Sequence, residues 1–100
     1  MTNERKPSGQ LVPLEQAINM IQMLEEKMPE FTLPAGARTL NDGKEFCKAF
    51  IDSGATFIDR CYGMNDRGEP CPVTLFLDDE MTPVAAWNVD RLCPPFCEDD

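Results

Sequence analysis

The chain is predicted to be α+β, with two N-terminal helices packed on one face of a three-stranded antiparallel β-meander and flexible termini. Apolar residues from Leu14 to Met28 recur at helical spacing, and a second helical segment between Asp42 and Gly54 is punctuated at both ends. After Gly54 the pattern changes to short β-branched and aromatic runs separated by turn clusters. Over 100 residues this is the length of one domain.

Residues 1–10 are polar, with Pro7, Ser8 and Gly9 in succession, and read as a mobile arm. Pro13 suits the first turn of a helix, where its missing N–H costs nothing. Leu14, Ala17, Ile18, Ile21, Leu24 and Met28 then form one apolar stripe, and Pro29 ends the helix. Residues 30–40 contain Pro34 and Gly36 without a sustained period and form a connection. Asp42 with Glu45 makes a capping box, and Gly54 is placed to cap the far end of the second helix. Its expected core face is Phe46, Cys47, Phe50 and Ile51.

Three strands are expected over residues 56–62, 72–77 and 84–89, the last centred on Trp87, which more often anchors a core than an interface. Their connections are the turn clusters at residues 65–70 and 78–83. The tail Cys93-Pro94-Pro95-Phe96-Cys97-Glu98-Asp99-Asp100 has adjacent prolines and no regular period. The organisation is therefore an arm (1–10), one α+β domain (11–92) and a Pro/Cys/acidic tail (93–100).

Charge and composition narrow the chemistry. The chain carries 18 acidic and 9 basic residues and no histidine, for a net charge of −9. Residues 51–100 hold eleven acids (Asp52, Asp59, Asp66, Glu69, Asp78, Asp79, Glu80, Asp90, Glu98, Asp99, Asp100) against Arg60, Arg67 and Arg91, a net of −8. Such a field repels nucleic acid and anionic membranes and speeds encounter with a basic surface, although acidity is also a common route to solubility. No apolar run approaches the ~20 residues of a membrane span, and no apolar stretch follows Arg5 and Lys6 as a secretory leader would require. A cytoplasmic location is expected.

Without histidine the usual general base is missing, no glycine-rich phosphate loop is present, and an enzyme is not expected. Nothing in the sequence calls for a cofactor. The five cysteines offer an alternative, a zinc-stabilised structural module using Cys61, Cys71, Cys93 and Cys97. The nine-residue gap between Cys61 and Cys71 lacks the usual tight knuckle, and Pro94-Pro95 separates the second pair. Buried reduced thiols are the simpler expectation, with Cys47 in the core.

Binding to a protein partner has more support. Met20 and Met23 fall roughly 90° and 150° from the centre of the apolar stripe at ~100° per residue, among Gln16, Asn19 and Lys27. A second apolar strip suggests a partner or a homodimer seam, unless the domain wraps more of this helix than the stripe implies. The acidic turn Asp78-Asp79-Glu80, with Asp90 and the acidic terminus, is the expected counterpart of a basic groove. The function expected is that of a small acidic regulator that binds and inhibits a partner stoichiometrically. Its general character is shared by phage-type inhibitors of nucleic-acid-binding defence complexes, by antiactivators of transcription factors and by immunity proteins. The expected partner is a protein, such as a basic nucleic-acid-binding protein or a transcription factor, with no direct nucleic-acid contact.

Overall fold

The computed structural model describes residues 9–33, 35–36 and 41–89. In chain order the elements are β1 (Gln10–Val12), α1 (Leu14–Lys27), α2 (Gly43–Ser53), β2 (Phe57–Met64), β3 (Pro70–Leu77) and β4 (Pro83–Asn88). The strands form one antiparallel sheet in the order β1-β4-β3-β2. The meander β2-β3-β4 is as the sequence predicts, but the sheet has four strands and not three. Gln10, Leu11 and Val12 pair with Asn88, Trp87 and Ala86. Three residues between Gly9 and Pro13 are too few to show a period-2 pattern, and their partners lie at the other end of the chain. Residues 1–8 of the expected arm and the tail 93–100 lie outside the described residues. No described helix is long and apolar enough to cross a membrane.

The helices lie on opposite faces of the sheet, a second correction. Alternation along β3 sends Cys71, Val73, Leu75 and Leu77 to one face, where they pack with Ala17 and Ala86 and with Leu14, Met20, Ile21 and Cys61 under α1. Phe76 points to the other face and joins Trp87, Val89 and Ala49, with Phe46 and Phe50 of α2 packed against them. Every residue from Cys71 to Leu77 is buried. A strand buried on both sides needs cover on both sides, which one layer of helices cannot supply. The two faces differ in kind. The α1 side is mainly aliphatic, whereas the α2 side is an aromatic cluster. Phe46 meets Phe76 and Trp87 edge-on at centroid separations of 5.4 Å each, and Phe50 meets Phe76 at 5.3 Å. Such contacts add ~0.5–1.5 kcal/mol each beyond area burial.

Both helix boundaries follow local chemistry. Pro13 is the N-cap of α1 and its carbonyl accepts from Ala17 N at 3.1 Å, while Pro29 follows the C-cap residue Met28. Asp42 Oδ1 accepts from Lys44 N at 3.0 Å and from Glu45 N at 3.1 Å, so it caps α2 as predicted. Gly54 ends α2 in the left-handed conformation, at φ 78°.

The facing of each helix departs from its sequence stripe. In α2 the sheet-facing residues are Phe46, Ala49, Phe50 and Ser53, whereas Cys47 is exposed and Ile51 is 72% exposed, so neither belongs to the core. They lie roughly 100° and 140° around the helix from Phe46. In α1 Ala17 and Leu24 are buried, Leu14, Met20 and Ile21 are half-buried, and Ile18 and Met28 of the expected stripe are exposed. Met20 thus lies roughly 50° from the middle of the buried arc, with Ile18 and Met23 roughly 110° away on either side.

Candidate partner-binding groove

The turn of α1 towards Met20 is permitted by Gly63 of β2. A Cβ there would lie 2.9 Å from Met20 Cβ and 3.0 Å from the Met20 carbonyl carbon, so any larger residue would push the helix off the strand. Beside this contact a groove of about 490 Å³ opens between α1 and the β2–β3 turn. Met20 and Met23 from the helix face Met64 from the end of β2. Gln16 and Asn19 edge it on the helix side, and Asn65, Asp66 and Gly68 on the turn side. Met20 is half-buried and forms the floor, whereas Met23 is 41% exposed and forms the lip. The sheet thus wraps Met20, as the stripe alone does not imply, and leaves Met23 outside. Met64 falls between the strand expected at 56–62 and the turn cluster at 65–70, so the sequence does not single it out, and only the extension of β2 to residue 64 brings it to the groove.

The turn wall is held by Asn65. Its Oδ1 accepts from Arg67 N and Glu69 N at 2.9 Å each, and its Nδ2 donates to Glu69 Oε1 at 3.1 Å. Arg67 Nε donates to the same carboxylate oxygen at 3.1 Å, tying the loop across its mouth. Asn65 N donates to Glu69 O and Gly68 N to Asn65 O, a three-residue hairpin loop whose left-handed position is Gly68. A flexible thioether surface thus sits against a firmly built wall.

The acidic turn lies elsewhere. Asp78–Thr82 closes β3 to β4, at the opposite end of β3 from the groove, and seven strand steps span ~24 Å. Asp78 Oδ1 accepts from Glu80 N at 2.9 Å and from Thr82 N at 3.0 Å, so this carboxylate shapes its own turn. Asp79 Oδ1 accepts from Thr56 Oγ1, fastening the turn to the start of β2. Glu80 is exposed. The structure brings Met20 and Met23 together with Met64 but does not bring them together with Asp78, Asp79 and Glu80. Asp90 lies outside the described residues.

Of the cysteines, Cys61 and Cys71 sit on the α1 face of adjacent strands, opposite Val73 and Gly63 respectively. Asn88 Nδ2 donates to Cys71 Sγ at 3.5 Å. Burial first, and then the neighbouring Asp59 carboxylate, pushes the Cys61 thiol from 9.0 up to about 11. That setting opposes the thiolate a nucleophile needs. Cys93 and Cys97 of the zinc alternative lie outside the described residues. Among the described residues no three His, Cys, Asp or Glu side chains gather as a metal site. The groove itself presents thioethers and amides, with Asp66 as the ionisable side chain in its lining.

No protein-family model, no curated protein and no solved structure matches this chain.

Proposed function

We propose that this chain is a small acidic regulator, active inside the cell, that binds a partner protein through the methionine groove and inhibits it by occupying its surface. The observation that supports this most is the convergence of Met20, Met23 and Met64 on one open hollow against a hydrogen-bonded turn. Methionine side chains adapt to an inserted apolar residue, and the surrounding amides offer donors and acceptors for register. The net charge of −9 then steers encounter with a basic partner. Because the acidic turn is ~24 Å away, a partner that uses both must be broad enough to span the length of β3.

The test compares the tagged native chain with an Asn19→Lys/Met23→Lys double variant in pull-downs at low and physiological salt. Both positions are exposed, so the thermal midpoint of the variant should stay close to that of the native chain. One protein should be enriched by the native chain, weakened by salt and lost from the variant. Equal capture by both would remove the groove from the interface.

A further inference from the structure

The two edges of the sheet are built differently. β1 is three residues long and is followed at once by Pro13, so it offers little to an incoming strand. β2 is eight residues long, contains no proline and keeps an unbroken register with β3 from Phe57 to Met64. Its other side carries no strand among the described residues. Near Tyr62 the Phe31 ring approaches to 6.1 Å, but Phe57, Ile58, Asp59 and Arg60 are all exposed. Phe57 is 45% exposed on the α1 face and Ile58 is 40% exposed on the α2 face. An edge of this length in a natural protein is ordinarily blunted by proline, by a bulge or by a covering element.

From this we infer that residues 57–60 of β2 form a docking edge for an extended segment of a basic partner, which adds to the sheet as a further strand. The inference rests on the chain being a protein-binding module and names a second surface on it. A row of outward N–H and C=O groups at strand spacing is matched by another strand, and the alternating Phe57 and Ile58 give apolar footing on both faces. A second copy of the chain is the wrong occupant. In a continuous two-fold sheet, pairing centred on residue 59 or 60 sets Asp59 or Arg60 against its own copy; pairing centred on Phe57 or Ile58 avoids that, so the net charge is what opposes self-pairing there. Each copy also brings a charge of −9. The charges near the edge still favour a cation, because three carboxylates stand there against the single guanidinium of Arg60. Asp59 lies on it, Asp79 is fastened to Thr56 immediately before it, and Glu80 is exposed in the same turn.

The test uses the full chain and a synthetic seven-residue peptide of alternating lysine and valine, read by amide hydrogen exchange and by titration. Bound peptide should slow exchange of amides within residues 57–60. A copy of the peptide N-methylated at alternate residues should bind at least tenfold more weakly. Phe57→Lys/Ile58→Lys should weaken binding by a similar factor, and the charge-matched Asn19→Lys/Met23→Lys by much less. The N-methylated peptide tests the native chain, so the result stands even if the β2 variant folds poorly. No binding, or no protection in β2, or indifference to N-methylation would each overturn the inference. Protection confined to residues around Met20 and Met64 would overturn it while leaving the groove as the binding surface.

Discussion

The two hairpin turns of the sheet share one backbone hydrogen-bond plan and differ most tellingly at the left-handed fourth position. In Asn65–Glu69 and in Asp78–Thr82 the first side chain accepts from the backbone N–H groups two and four residues on. In both, the first N–H donates to the last carbonyl and the fourth N–H donates to the first carbonyl. The fourth residue is left-handed in each, Gly68 at φ 79° in one and Met81 at φ 66° in the other. Glycine takes that conformation freely, whereas a methionine is strained there by its Cβ. Met81 is also 59% exposed, so packing repays little of the strain. The turn that walls the methionine groove is thus the relaxed one, and the acidic turn is the strained one. A similar set of hydrogen bonds can be reached with or without glycine, and the difference is stored as conformational energy.

The largest effect should come from the side chains that organise the loops. Asn65 is buried and uses both ends of its amide, so Asn65→Ala should cost about 2–3 kcal/mol. Asp78 is only half-buried, and Asp78→Ala should cost about 1 kcal/mol. Urea midpoints at constant slope would show the gap, and equal losses would mean that burial does not separate the two turns.

Next in size is Gly68→Met, which makes the first turn resemble the second. Nothing lies within 4 Å of a Cβ built at Gly68, so the loss of about 1 kcal/mol is purely conformational. The reverse change, Met81→Gly, should stabilise by about 0.5 kcal/mol, because relief of strain is partly offset by the freer unfolded chain. A loss at Met81→Gly would show that the methionine side chain makes a contact that holds the acidic turn.

A further change is confined to alkaline pH and serves as a reference common to both turns. Cys61 titrates at about 11 in the folded chain against 9.0 for an ordinary thiol, so the native state holds the proton more tightly. Its contribution to stability is complete below pH 9 and is lost as pH rises towards 11. Cys61→Ala should flatten that limb of the stability–pH curve and leave the ranking of the turn variants unchanged. A limb that persists in the variant would assign it to another group.

The amino-acid sequence by itself determined the elements whose signals are local. Asp42 and Gly54 bound α2 as capping residues, Pro13 and Pro29 bracket α1, and the clusters at residues 65–70 and 78–83 are turns, because each depends on dihedral preferences and hydrogen bonds within a few residues. Tertiary structure alone decided the rest. A three-residue β1 exists because it pairs with Trp87 and its neighbours across most of the chain, and no local pattern encodes a partner so distant. The periodicity of Cys47 and Ile51 is helical whether or not the sheet meets them, and it is Phe46, Ala49 and Phe50 that fit the aromatic cluster. Met20 left its expected strip because Gly63, forty-three positions later, lets α1 settle onto β2, and the same contact carried Met23 to the lip opposite Met64. Facing and juxtaposition are properties of how whole elements pack, which depends on the shapes of surfaces brought together only after the elements have formed.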